Sequence, residues 1–439
     1  LHTHDRRQRQ MCIRDRDMRF WLCMIWILLF SVPSFCQQVR HIPKSVIKDK
    51  LHGFWVGQML GNFIGRPFEH RYVETPMPIL VTKIYSFEDA LERDLLANDN
   101  HAGGYIPILA GVLDGAFSDD DTDIEIVTLH AVEKYGLTLT YEEITEAWTT
   151  HINGFIWAAN REARTLMDSG IIPPDTGKRK FNKHWYKIDA QLTNEIWSAF
   201  FPGMISHATE RAEWGALITN DGWAIHPTIV YSAMISAAFF ESDVRALVNI
   251  GLDAIPTDSP VAMGIGDLLE WHYVHSDWRK TRKLLHEKYY QFQTSEYSLP
   301  AHPVSALING LSGIMAILYG EGDFMKTVSI ATSAGYDCDN QAATSGGLLG
   351  VMSGITGMSA QVIGLTKTLP KWKSWDSPFN DTYVNITRDQ LPSRMKISSI
   401  VDRTVNIAEK AIVRNGGRIS TQNGRVFYRI VSDVPHKDI

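Results

Sequence analysis

LHGFWVGQMLGNFIGRPFEH, residues 51–70, carries a glycine at every fourth position: 53, 57, 61 and 65. At 3.6 residues per turn that spacing lines up all four on one helix face, which is then bare backbone that another element must approach closely. In a membrane span the same spacing would mark a dimerisation face. Gln58, Asn62 and the overall polarity point instead to tight packing inside a soluble bundle. The expected partner is the segment 342–357, whose small residues Ala343, Gly346, Gly347 and Gly350 recur at similar spacing. Gly65-Arg66-Pro67 then ends the helix and delivers Glu69 to a loop.

Outward from this stretch, apolar residues at helical spacing dominate from 50 to 365 and β-branched alternation is rare. The pattern predicts helices over 51–64, 123–135, 141–160, 189–200, 227–240, 243–253, 258–274, 278–290, 303–318, 323–334 and 340–354. Segments such as PPDTG at 173–177 and TNDG at 219–222 separate them. No fixed-period repeat or linker divides the run, so the reading is all-α: one large helical domain over 37–369. Residues 370–439 form a C-terminal extension that packs on it. There a polar, aromatic stretch, KWKSWDSPFNDTYVN, precedes a helix at about 400–413. GRISTQNGRVFYRIV then alternates as a short hairpin turning at Gln422-Asn423-Gly424.

The chain has 439 residues, 44% hydrophobic and 21% charged, enough to bury a large core and too few charges for disorder. Its 43 basic and 49 acidic residues give a net charge of -6 with no long basic block, which argues against a nucleic-acid partner. Residues 1–17 are charged, lack apolar periodicity and read as foreign to the gene. From Met18, one Arg, an apolar run over 20–30 and small residues at Ser34 and Cys36 have the shape of a secretory signal ending at 36. The expectation is an exported protein, periplasmic or secreted, with no membrane span once the signal is removed. Of Cys12, Cys23, Cys36 and Cys338 only the last would remain, so no internal disulfide is expected.

Two acidic clusters carry the chemistry. FSDDDTDIEIV at 117–127 places four aspartates in five positions, just where a helix begins. Ser118 or a neighbouring Asp is the expected cap, and the helix macrodipole offsets one charge, not four. A calcium loop would match Asp119, Asp121 and Asp123 but needs Gly where Ile124 stands and Glu where His130 stands. A solvated acidic cap remains the plain alternative. GYDCDNQAATSGG at 335–347 repeats the arrangement: Asp337 and Asp339 flank Cys338, and Asn340 opens a helix of small residues. Two such clusters suggest one shared site for oxygen-preferring cations. Zinc spacing is absent, and Cys338 reads as a small packing residue.

Three ordered patterns resemble the ADP-ribosylglycohydrolase family: GNFIGRPFE like its G-x-P-x-E segment, Asp119-Asp120-Asp121-Thr122 like its T-D-D-T, and Gly335–Asn340 like its G-G-D-T-D-T. HPVSALINGLSGIMAILYGEGD at 302–323 is also similar to bacterial members. The resemblance implies an orthogonal helical bundle with two Mg²⁺ or Mn²⁺ ions in a cleft. It further implies hydrolysis of an N- or O-glycosidic bond in an ADP-ribosylated protein or small molecule. Carried over by position, Asp119, Asp120, Asp121, Asp337, Asp339 and Asn340 would be the metal ligands. Asp337 or Asp339 would also orient water, and Glu69 would act as gate or proton donor. An exported ADP-ribose- or nucleotide-binding pseudoenzyme on the same fold is the alternative. Asp119 and Asn340 replace threonines, Asn62 stands where Asp is common, and Tyr336 where Gly is usual. Asp189, Gln191, Asn220, His226 and Tyr336 are weaker substrate-binding candidates, and Asp123 is expected to face outward.

Overall fold

The computed structural model describes residues 38–85, 113–293, 298–299, 301–366 and 378–434. The 1–17 prefix and the 18–36 signal expected from the sequence lie outside the described residues. In chain order the elements begin with β1 (Gln38–Pro43), α1 (Lys44–Gly65), α2 (Asp123–Tyr135), α3 (Tyr141–His151) and α4 (Ala158–Asp168). There follow α5 (Asp189–Asn194), α6 (Ile196–Phe200), α7 (Ile205–Ala216), α8 (His226–Ala237), α9 (Val244–Asp253), α10 (Pro260–Val274) and α11 (Trp278–Leu285). The remainder is α12 (Ala306–Gly320), α13 (Phe324–Ala334), α14 (Cys338–Thr366), β2 (Tyr383–Val384), β3 (Arg394–Met395), α15 (Ile397–Arg414), β4 (Arg418–Gln422) and β5 (Arg425–Ser432). Among the described residues no helix is long and apolar enough to cross a membrane.

The helix pair α1 and α14 forms the axis of the bundle, and the glycine stripe is the reason. A methyl group at Gly53, Gly57 or Gly61 would overlap the backbone carbonyl of Gly350, Gly346 or Ala342, and at Gly65 the Cα of Asp339. Backbone therefore lies on backbone along the seam, closer than ordinary side-chain packing allows. Every residue of α1 from Gly53 to Gly65 is buried, as is all of α12. The seam brings the C-terminal end of α1 beside the start of α14, so Glu69 and Asp339 arrive at one place.

Four differences from the expected helices stand out. The helix expected over 141–160 ends at His151, where the cap carbonyls are taken by arginines: Arg164 Nε donates to Ile152 O at 2.7 Å, and Arg388 donates to Gly154 O and Phe155 O at 2.9 and 2.8 Å. The stretch 278–290 changes after Leu285 into a five-residue π turn, and 189–200 is divided at Glu195. Helix α7 was not expected because it buries only Ala208, Ala212, Gly215 and Ala216, small residues that leave little apolar periodicity.

The C-terminal hairpin forms with Gln422 opposite Arg425, and Asn423 and Gly424 take positive φ of 49° and 74°, a type I′ turn. Strand β1 adds to it antiparallel, pairing Gln38 with Ser432 and Pro43 with Phe427, to give the order β1-β5-β4. Helix α15 buries Ile397, Ile400, Val401, Val405 and Ile412, and Trp55 Nε1 of α1 donates to its Thr404 at 3.0 Å.

Candidate metal centre and active site

Three loops converge above the α1/α14 seam. The first is the turn after α1, which carries Arg66, Glu69 and His70. The second is the turn before α2. Here Thr122 stands at the cap position with no side-chain hydrogen bond, so the cap expected from Ser118 or an Asp does not form. Ser118 Oγ instead donates to Asp119 O at 3.3 Å. The aspartates are therefore left pointing into the protein, with Asp119, Asp120 and Asp121 all buried. The third loop precedes α14, where Gly335 and Tyr336 both have positive φ and Asp337 N donates to Asn309 Oδ1 at 3.0 Å.

Together they line a cavity of about 280 Å³ with Arg66, Glu69, Asp119, Asp120, Asp121, Asp337 and Asp339 in its wall. Ligand atoms of Asp119, Asp121 and Asp339 lie within 4.8 Å of one another, as do those of Glu69, His70 and Asp337. Either group could hold a metal ion. Asp121 is oriented by two amides: Asn62 Nδ2 donates to Oδ2 at 2.6 Å and Asn340 Nδ2 to Oδ1 at 3.4 Å. Asn62 thus supplies a donor where a carboxylate would repel. Asn160 joins the other side, its Nδ2 donating to Asp120 Oδ2 at 3.4 Å and its backbone N to Asp189 Oδ1 at 2.8 Å.

So many buried carboxylates repel protonlessness. Burial, then Asp119, Asp123 and Asp189, push Asp120 well above the carboxylate range, and burial with Asp339 and Asp119 does the same to Asp121. Asp337 is raised by burial and by Asp339; Asp339 is raised by burial while Arg66 pulls it down. Arg66 offsets only part of this charge, and a divalent cation would offset more. The fit is testable on individual atoms: Asp119 Oδ1 and Asp339 Oδ1 are buried with no hydrogen-bond partner, and the donor set is all oxygen, as Mg²⁺, Mn²⁺ or Ca²⁺ prefer.

Arg66, which sequence reasoning treated only as part of a helix end, is the cation at the centre. Its Nε lies 3.1 Å from Asp119 Oδ2, its Nη1 lies 3.7 Å from Asp339 Oδ2, and it pairs with Glu69. The extra charge that distinguishes Asp119 is answered here. At the mouth stand Trp157, Ala158, Lys187, His302 and Val304, also not expected from the sequence. Burial lowers Lys187 from the usual lysine range, and burial together with Lys187 brings His302 down to about 4. His302 Nδ1 accepts from Val304 N at 3.1 Å, so the ring is neutral and Lys187 is the positive group at the opening.

The weaker candidates separate. Asp189 lines the cavity, raised to about 6 by burial. Gln191 lies beneath it, donating to Asn340 Oδ1 at 3.4 Å and Thr344 Oγ1 at 3.0 Å. Asn340 also accepts from Gln341 Nε2 at 2.8 Å, which places its side chain in the supporting network under Asp121. Tyr336 points away: its hydroxyl meets His286 Nδ1 at 2.9 Å and Arg282 covers its ring at 4.2 Å. Asn220 bonds the Lys187 carbonyl and His226 the Ser259 hydroxyl, and neither lines the cavity. Asp123, expected outward, is fully buried against Arg388 Nε at 2.8 Å and the Thr387 hydroxyl. Cys338 is buried, its Sγ donating to Gly65 O at 3.6 Å, a packing role as expected.

The helical domain delivers two aspartate clusters to one cavity, where they could hold a cation. The ADP-ribosylglycohydrolase family model matches residues 43–385, and the chain belongs to that family. A search of curated proteins finds no match. Among solved structures, an "ADP-ribosylglycohydrolase-related protein complex" is similar, with 13% identity, a TM-score of 0.49, and 83% of this chain and 99% of that chain covered. The family is mainly hydrolases and implies an ADP-ribosylated substrate.

Proposed function

We propose that this protein is a divalent-cation-dependent hydrolase of the glycosidic bond at the ribose C1 of an ADP-ribosylated protein or small molecule. One observation carries the reading: two aspartate clusters far apart in sequence meet in one cavity, with carboxylate oxygens of Asp119 and Asp339 buried and without hydrogen-bond partners. Export, read from residues 18–36, belongs to the same proposal.

Asp119, Asp121 and Asp339 would hold Mg²⁺ or Mn²⁺, which when bound orients the ribose hydroxyls and acidifies water. The C1 bond to nitrogen or oxygen breaks with its electron pair leaving on the acceptor, and positive charge develops at C1. Asp120 and Asp337, in the cavity wall, stabilise that charge. Asp337 takes a proton from the water that adds to C1, completing a hydroxyl there, and the departing acceptor takes up a proton in turn. Glu69, tied to Arg66, swings as the gate over the ribose. Lys187 at the mouth meets the negatively charged phosphates of the substrate.

The test is release of ADP-ribose from ADP-ribosylated peptide in Mg²⁺ or Mn²⁺. Release by the wild type and its loss in folded Asp337→Ala are expected. Tight ADP-ribose binding without release in either protein would favour the pseudoenzyme reading instead.

A further inference from the structure

We propose that Arg282, on a helix whose residues do not line the cavity, is a positioning residue of the cation centre: from behind, it fastens the turn bearing Glu69 and His70 to the turn bearing Asp337. The inference rests on the cation-dependent reading above and concerns what sets the spacing of the ligands.

Arg282 lies in α11 and is 1% exposed. A guanidinium buried this far ordinarily meets a carboxylate, but here the hydrogen bonds end on backbone carbonyls of two turns. Nε donates to Ala334 O at 3.0 Å, Nη1 to Glu74 O at 3.3 Å and Nη2 to Val73 O. The planar fork fixes where all of these carbonyls can lie at once, which a flexible ammonium would not do. Inward from this clip the same two segments stay joined, by Tyr336 N to Tyr72 O at 3.0 Å and His70 N to Tyr336 O at 2.9 Å. One step further the join reaches Glu69, His70 and Asp337, whose ligand atoms lie within 4.8 Å of one another. Tyr336 supplies an independent observation. Its φ of 65° is a left-handed conformation that a bulky side chain adopts only when its surroundings enforce it. The Arg282 guanidinium covers its ring at 4.2 Å, and the His286 ring lies parallel to it at 6.0 Å while bonding its hydroxyl at 2.9 Å. The backbone that presents Asp337 is thus set by contacts made outside the cavity.

The experiment measures Mn²⁺ affinity of the full chain by isothermal titration calorimetry for the wild type, Arg282→Met and Arg282→Lys, with steady-state release of ADP-ribose alongside. Loss of a group that orients metal ligands costs about 10–100-fold in metal affinity or activity, so Arg282→Met is expected to weaken Mn²⁺ binding and lower kcat by about tenfold or more. KM should stay within about twofold, because Trp157, Lys187 and His302 at the mouth sit on other elements. Arg282→Lys should recover only part of the affinity. An arginine with a merely structural role would lower the urea midpoint and leave Mn²⁺ affinity and kcat of the folded variants at wild-type values. That result overturns the inference, while release by the wild type keeps the hydrolase reading. Weakened Mn²⁺ binding beside a wild type that releases no ADP-ribose supports the inference and overturns the hydrolase reading, and a wild type that binds no Mn²⁺ overturns both. If neither variant folds, native-state amide exchange of the wild type decides. The His70 and Tyr336 amides are expected to be protected as strongly as those of the α1/α14 seam, and their exchange by local opening overturns the clip.

Discussion

Replacing Arg388 by methionine tests whether the C-terminal region holds the cavity in shape. Arg388 and Asp123 are both buried, Nε to Oδ2 at 2.8 Å, and the two terminal nitrogens donate to Gly154 O and Phe155 O. That loop leads into Trp157 and Ala158, which line the mouth. Methionine keeps most of the volume but strands a buried carboxylate, for a loss of about 3–5 kcal/mol, and leaves two carbonyls unpaired at about 1 kcal/mol each. Protonation bounds the loss. Burial already raises Asp123 to about 7 despite Arg388, and removing the arginine raises it further. With the folded pKa above the unfolded one, the proton-bound form is favoured in the folded state, so stability is retained at low pH and lost as pH rises. Arg388→Met should therefore destabilise by about 3–5 kcal/mol at pH 8 and by less at pH 5.5. The assay is urea unfolding followed by far-ultraviolet circular dichroism, in EDTA, with amide exchange measured across 152–158. Asp123→Asn combined with Arg388→Met should recover part of the loss. A change below about 1 kcal/mol at pH 8, or no recovery in the double variant, would refute the reasoning.

Gly57→Ala places a methyl on the Gly346 carbonyl and should lower stability by about 1–3 kcal/mol, read as a drop in thermal midpoint, whereas Gly154→Ala, with open space around it, should change little. Glu195 is buried beside Glu125 and raised to about 8, chiefly by burial; its stabilisation is complete below about 4.5 and is lost as pH rises through about 8. Glu195→Gln should remove a slope of about 1.4 kcal/mol per pH unit between these limits and be more stable than the wild type at pH 8, measured by urea unfolding across pH. Lys187→Ala should raise KM for the ADP-ribosylated peptide about tenfold with kcat little changed, in steady-state release assays.

The axis of the fold was legible because four glycines at a fixed spacing admit one explanation, close backbone approach, and GLY-rich 342–357 offered the matching surface. Helix α2 was legible to the residue from the spacing of Ile124, Val127, Thr128 and Ala131, although Asp123 and Glu125 are buried as well. The candidate site was legible in part, because two aspartate clusters, at 119–121 and at 337 and 339, each stand at a helix start, and these residues line one cavity. Arg66 was not, because an arginine beside a proline at a helix end is ordinarily solvated, and only the third dimension puts Asp119 and Asp339 around it. Asp123 was misread for the same reason. Its partner Arg388 lies far along the chain in a polar stretch with no periodicity. Strand β1 likewise depends on a β5 partner from the opposite end of the described chain. Lys187 and His302 are single residues in loops, and nothing in their neighbours announces a cavity.

The turns that bear Glu69 and Asp337 are stitched together by two backbone hydrogen bonds, His70 N to Tyr336 O at 2.9 Å and Tyr336 N to Tyr72 O at 3.0 Å. A methyl on Gly335 would overlap the Tyr72 carbonyl, so the stitching leaves no slack. Backbone opening of the Glu69 turn would break both bonds. Movement of Glu69, the proposed gate, is thereby confined to rotation about side-chain bonds, on a picosecond to nanosecond scale instead of the microseconds of a hinged loop. Under the proposed hydrolase reading, admission to the cavity would be a choice among rotamers of Glu69, with no hinge in the backbone beneath it.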